Sequence, residues 1–176
     1  MTHVDGLSIR DAVPGDAPTI ASIYRHHVIH GVATYETEPP SHHEMRARVE
    51  RVVKARWPWL VAEHDGSIVG YAYATQLNDR PAYLHTAEDS VYIKVEHARR
   101  GMGRALLTEL IARTEASGFR QLIAVIGGAE PGSIALHEAL GFRHVGRIEA
   151  AGWKHGRWLD NVYMQRALGD GAGSEP

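Results

Sequence analysis

The chain contains no cysteine. Disulfides, thiolate metal sites and any mechanism that parks an acyl group on a protein thiol are therefore excluded. No apolar run approaches the roughly 20 residues that a membrane span needs, and residues 1–10 lack the basic and apolar regions of a secretory leader. A cytoplasmic protein with no membrane partner is expected. An excess of charge of one sign is also missing, because 19 Lys and Arg stand against 21 Asp and Glu. With no basic surplus to lay along a phosphate backbone, nucleic acid is not an expected partner.

What is present fits one ordinary domain. Its 176 residues, 44% of them hydrophobic, can bury a core that stands without staples. A single domain is expected over residues 1–168, followed by a small, polar and disordered tail over 169–176. Of the twelve histidines, His26 and His30 would share one face of a helix as a metal pair might. Spacing supplies no third ligand, so no metal is expected. The pairs His26-His27 and His42-His43 read as surface residues.

Periodicity gives a mixed order of elements. Residues 7–10 suggest a short strand, and Pro14-Gly15-Asp16 opens a helix carrying Ile20, Ile23, Tyr24 and Val28. Residues 31–40 read as a loop with extended character, and 41–56 as a helix ended by Trp57-Pro58. Residues 59–63 and 68–75 flank Asp65-Gly66 and form a hairpin. Residues 90–95 alternate as a half-buried strand, with Val91, Ile93 and Val95 on one face. A helix follows, carrying Met102, Leu106, Leu107, Leu110 and Ile111 and closed by Gly118. Residues 122–126 form a buried strand, and Pro131 starts a helix that ends at Gly141. Two final strands, 142–148 and 159–165, enclose a loop containing Lys154-His155-Gly156. This order predicts an α/β or α+β layered domain.

The most informative local feature is the strand that runs through Arg99-Arg100-Gly101-Met102-Gly103-Arg104 into a helix. Such a turn offers free backbone N–H groups at a positive helix end, flanked by arginines, and so suits phosphate. It is not a P-loop, since no Lys-Ser or Lys-Thr follows. It is not a dinucleotide fingerprint, since Leu106 holds the third glycine position. Alone it equally fits a tight strand-to-helix turn with solvated arginines.

The run 97–107 resembles the pyrophosphate-binding turn of the GNAT acetyltransferase superfamily. Residues 57–63, Thr86-Ala87-Glu88, 90–93, Ala124-Val125-Ile126-Gly127, His137-Glu138-Ala139-Leu140-Gly141 and 150–158 resemble the phosphinothricin N-acetyltransferases more narrowly. The likeness spans about residues 7–168. It implies a GNAT fold, a twisted and mostly antiparallel mixed sheet with helices on both sides and a splayed central strand pair. It also implies an acetyl-CoA-dependent enzyme that acetylates the primary amine of a small amino-acid-like molecule by direct attack in a ternary complex. Rival readings are an enzyme for a protein N-terminus, polyamine or aminoglycoside, and a noncatalytic acyl-CoA-binding module.

The resemblance assigns coenzyme binding to Val91, Tyr92, Ile93, Arg99, Arg100, Gly101, Met102, Gly103, Arg104, Ala105 and Ser133. Two departures stand out: Ala98, where the superfamily usually has Gln or Arg, and Glu130, where relatives often carry Asn. Glu88 is the candidate base, because an ammonium must lose a proton before it attacks a thioester, and burial beside Tyr92 and Tyr83 is expected to raise its pKa. His137 stands where many members place a Tyr that protonates the departing thiolate, and it could serve as acid or second base. Tyr35, Arg80, Tyr83, Thr86 and Tyr92 resemble the acceptor pocket, with Arg80 suited to a carboxylate. Asn78 replaces a basic residue there, which points away from phosphinothricin and toward methionine sulfoximine or sulfone. A homodimer is expected from the resemblance and from the exposed rings of residues 153–158.

Overall fold

The computed structural model describes residues 4–176. One seven-stranded sheet runs through the chain in the order β1-β2-β3-β4-β5-β7-β6. Its strands are β1 (Leu7–Asp11), β2 (Trp59–His64), β3 (Ser67–Gln76), β4 (Thr86–Ile93), β5 (Gln121–Gly127), β6 (Arg143–Lys154) and β7 (Arg157–Ala167). Every neighbouring pair is antiparallel except β4 with β5. Helices α1 (Ala17–His30) and α2 (His42–Lys54) cover one face, and α3 (Met102–Ala116) and α4 (Pro131–Ala139) the other.

The two faces follow from strand alternation. Leu60, Ala62, Ala72, Ala74, Ala87, Leu122 and Ala124 pack with Leu106, Leu107 and Leu110 of α3. Val61, Tyr71 and Trp59 pack with Ile20, Ile23, Val28, Met45 and Val49 of α1 and α2. The small alanines on the α3 side let that helix lie close to the sheet. Helix α2 starts on a reciprocal cap, in which Glu44 N–H donates to Ser41 Oγ at 3.2 Å and Ser41 N–H to Glu44 Oε2 at 2.7 Å. Removing such a cap costs about 1 kcal/mol. At the β2–β3 turn both Asp65 and Gly66 have positive φ, 49° and 74°.

Three boundaries differ from expectation. Strand β4 begins at Thr86 and ends at Ile93, so Glu88 lies inside it and Val95, 55% exposed, falls in a 3-10 turn beyond it. The loop expected around residues 149–158 shrinks to the two-residue turn His155-Gly156, because β6 and β7 continue as a ribbon to the Lys154–Arg157 pair. Residues 169–176 form turns folded onto Arg120, whose guanidinium donates to the Gly171 and Ser174 carbonyls at 3.2 Å.

Candidate active site

Parallel pairing of β4 with β5 runs from Thr86 opposite Gln121 to Asp89 opposite Ala124 and then stops. Both strands continue, β4 to Ile93 and β5 to Gly127, so their ends part. The gap is a cleft of about 50 Å³ bordered by Asp89, Ser90, Val91, Tyr92, Ala124 to Gly127, Ser133 and His137, with Ala33 at its mouth. Lys94 N–H donates to Val69 O at 2.8 Å on the β3 side. Alternation along the strand therefore turns the backbone groups of Val91 and Ile93 toward the parted edge, where β5 no longer pairs with them. The Ile93 carbonyl there meets His27 Nε2 at 2.9 Å. His27 is thus not the surface residue expected, and burial holds its imidazole below its ordinary pKa, with the Ile93 carbonyl opposing.

At the C-terminal end of β4 the chain turns into α3 through Gly101, whose φ of 84° suits a residue without Cβ. The first intrahelical bond is Ala105 N–H to the Gly101 carbonyl at 3.0 Å. The N–H groups of Met102, Gly103 and Arg104 thus lie in the first turn, where helix geometry supplies no acceptor. Arg99, Arg100 and Arg104 are exposed beside them. This is a concentrated anion cradle, and its fit to a pyrophosphate rests on those amides, the helix dipole and three cations. Met102 itself is 1% exposed and packs in the core, so it contributes backbone rather than side chain. Ala98, also exposed, adds no polar group.

Glu130 does not point its charge at a phosphate. Its carboxylate caps α4, accepting from Gly132 N–H at 3.1 Å and Ser133 N–H at 2.6 Å. A carboxylate at a helix N-terminus also complements the dipole.

Across β4 the side chains divide. Glu88 lies opposite Thr75, Ser90 opposite Tyr73 and Tyr92 opposite Tyr71, so these six share the α1–α2 face with Thr86. Burial lifts the Glu88 carboxyl above its usual range, and the charge of Asp89 adds to the effect. Burial was the expected cause, and the neighbouring carboxylate is the addition. Tyr92 packs among Tyr24, Tyr71 and His27 with ring centroids 5.1, 5.3 and 5.2 Å away. Burial holds its phenol well above its ordinary pKa, and the residue lines the cleft.

Asp89 and His137 occupy the opposite face. His137 Nε2 meets Asp89 Oδ2 at 3.0 Å and Nδ1 meets the Ser133 carbonyl at 2.7 Å. Burial opposes charge on the imidazole, but the hydrogen bond and charge of Asp89 outweigh it and hold the pKa above the ordinary value. Sequence reasoning overlooked Asp89. The available signal was alternation, since a carboxylate next to Glu88 on a two-sided strand must enter the other, buried layer.

The expected acceptor residues are less compact. Arg80 and Tyr83 lie exposed in the β3–β4 connection, where Asn78 Oδ1 accepts from Arg80 N–H at 3.0 Å and shapes the loop. The Tyr35 hydroxyl is engaged within the fold. It donates to the Asp160 carbonyl at 3.1 Å and accepts from Gly128 N–H at 3.3 Å, which pins residues 31–36 beside the cleft. His26 and His30 do come together, 4.8 Å between ring centroids.

The acetyltransferase (GNAT) domain model matches residues 9–163. A phosphinothricin N-acetyltransferase of Alcaligenes faecalis is 48% identical over 93% of this chain and 84% of its own length. An L-methionine sulfoximine/L-methionine sulfone acetyltransferase of Salmonella typhimurium is 33% identical over 94% and 97%. The crystal structure of a GNAT superfamily phosphinothricin acetyltransferase from Sinorhizobium meliloti in complex with acetyl-CoA is 50% identical, covers 97% of this chain and 93% of its own, and superposes with a TM-score of 0.95. With its parted β4–β5 pair and the amide cradle at the cleft's end, the chain belongs to the GNAT acetyltransferase family.

Proposed function

We propose that the protein transfers the acetyl group of acetyl-CoA to the primary amine of a small amino-acid-like substrate, of the phosphinothricin, methionine sulfoximine or methionine sulfone type. The observation that carries this reading is that β4 links three features along its length: Glu88 with its raised pKa near the start, the cleft where the strand parts from β5, and the amide cradle beyond the C-terminal end. Acetyl-CoA supplies the activated thioester. Residues Arg99 to Ala105 hold its pyrophosphate, and the Val91 and Ile93 backbone borders its arm. Glu88, with its raised pKa, takes the ammonium proton directly or through water. Arg80 and Tyr83 receive the acceptor's carboxylate end.

The protein works in the cytoplasm as a homodimer. Trp153 and Trp158, 59% and 63% exposed and paired across the β6–β7 ribbon, supply with Ile148 an apolar face for a second copy. Light scattering at micromolar concentration reads the assembly, and a monomer throughout would contradict it. The activity is tested by following thiol release from acetyl-CoA against amino acids and their phosphinate, sulfoximine and sulfone analogues. Turnover confined to such amines supports the reading, whereas turnover only with polyamines, aminoglycosides or peptides would overturn it.

A further inference from the structure

Hydrogen-bond accounting at His137 requires one proton more than a neutral histidine carries. Its Nδ1 lies 2.7 Å from the Ser133 carbonyl, and a carbonyl only accepts, so Nδ1 bears hydrogen. Its Nε2 lies 3.0 Å from Asp89 Oδ2, and that contact also needs a hydrogen between the two atoms. With that hydrogen on Nε2, the imidazole is cationic and faces the Asp89 carboxylate. Both residues are buried, His137 4% and Asp89 6% exposed, and both border the cleft. The second Asp89 oxygen, Oδ1, is buried without a partner among the described residues.

We infer that Asp89 and His137 form a buried proton store that protonates the sulfur leaving the acetyl group. The inference rests on the acetyl-transfer reading above and assigns Asp89 a role as the residue that keeps His137 charged. Its main support is position. Glu88 and the Asp89–His137 pair stand on opposite faces of β4, so one face serves the incoming amine and the other the outgoing thiolate. His137 is then an acid rather than a second base.

The bookkeeping of bonds closes. As the amine nitrogen bonds to the acetyl carbon, its proton passes to Glu88. The carbon–sulfur bond breaks with its electron pair on sulfur. The cleft-lining Ser133 hydroxyl, 3.5 Å from Nδ1, gives its hydrogen to sulfur and regains one from His137. After the products leave, Glu88 loses its proton to water, and water restores the pair.

Few other charges face the imidazole. The Phe142 ring packs edge-on at 4.9 Å, and β5 offers no titratable side chain from Leu122 to Gly127. On α4 itself Glu130 is bound to the helix N-terminus and Glu138 to His144 at 2.9 Å.

Asp89→Asn isolates the proton, because its amide can donate to Nε2 while Nδ1 still donates to Ser133. Every hydrogen bond survives with a neutral imidazole. Nitrogen-15 spectra of the ligand-free protein at pH 7, assigned against His137→Gln, should show both ring nitrogens of His137 sharing the extra proton in the wild type and a single neutral tautomer in Asp89→Asn. With methionine sulfone and phosphinothricin as acceptors, kcat at saturating acetyl-CoA should fall about 10²-fold in Asp89→Asn and in Ser133→Ala, with coenzyme A affinity held in Asp89→Asn. A neutral His137 in the wild type, or an unchanged kcat in either variant, would overturn the inference. If the wild type acetylates neither amine, the acceptor reading fails, and the spectra still decide the store.

Discussion

Glu88 and Asp89 are consecutive in β4, yet their carboxylates leave the strand on opposite faces, Glu88 beside Thr75 and Asp89 against His137 at 3.0 Å. One acidic dipeptide thus places a carboxylate in each layer of the molecule. Only Glu88 lacks a cationic partner, and that difference sets its chemistry and its effect on stability.

Because burial raises the Glu88 pKa, its neutral form is the better folded one. The stability this gives is full below the carboxyl's ordinary range and is lost as pH rises through the raised folded value. Replacing Glu88 by Gln should therefore leave Tm at pH 7 equal to or above that of the wild type. The gap should close as pH falls toward the ordinary carboxylate range. Calorimetry across that range checks the sign, and a lower Tm for Glu88→Gln at neutral pH would show that the carboxylate is held by an attractive partner.

The side chains of Arg99, Arg100 and Arg104 make no hydrogen bond or ion pair among the described residues and are exposed. Arg100→Ala and Arg104→Ala should shift stability by no more than about 0.5 kcal/mol. Each should nonetheless weaken coenzyme A binding several-fold, with the loss shrinking at high salt. Titration calorimetry at two ionic strengths reads both effects.

Lys154, 5% exposed at the tip of the β6–β7 ribbon, donates to the Thr34 carbonyl at 2.7 Å. Lys154→Met retains the stem and removes the donor, leaving a buried carbonyl unpaired. A loss of about 1–3 kcal/mol is expected. Since Ala33, next to Thr34, borders the cleft, KM for the acceptor should rise more than KM for acetyl-CoA. Equal changes in both would show that the ribbon does not position this loop.

Tyr35 packs against Gly152, where an added Cβ would stand 2.5 Å from the ring. Gly152→Ala should cost about 1–3 kcal/mol through overpacking. Tyr35→Phe should cost about 1 kcal/mol by deleting its bond to Asp160. Acceptor affinity is expected to change little in Tyr35→Phe, and chemical denaturation paired with steady-state kinetics separates the two effects.

The sequence made some of this legible and hid the rest for physical reasons. Asp65-Gly66 and Gly101 announce themselves because positive φ is a local demand. Apolar spacing in α1 and α3 is likewise local. Strand β4 was placed four residues late because Ala87 and Asp89 do not form an apolar stripe, and Asp89 is buried by a partner 48 positions away. The Tyr35 hydroxyl bonds to Asp160 across 125 positions, a partnership that no local pattern announces. The ribbon resumes at Gly152 after an irregularity at residues 149–151, where Ala150 N–H donates to Asp160 Oδ1 at 2.8 Å, because distant partners on β7 and not composition sustain it. Glu130 read as a departure from relatives, whereas helix geometry makes it a cap.

The central claim is that Glu88 accepts the proton of the attacking amine. Glu88→Gln preserves shape while removing proton acceptance, so the rate of acetylation at neutral pH should fall about 10²-fold or more with coenzyme A binding retained. The wild-type rate should rise with pH through an apparent pKa, and the Glu88→Gln rate should rise only at higher pH, where the amine is already neutral. That pH–rate comparison is the decisive measurement. Two parallel profiles of similar height would contradict the account and leave another group, or water alone, as the proton acceptor.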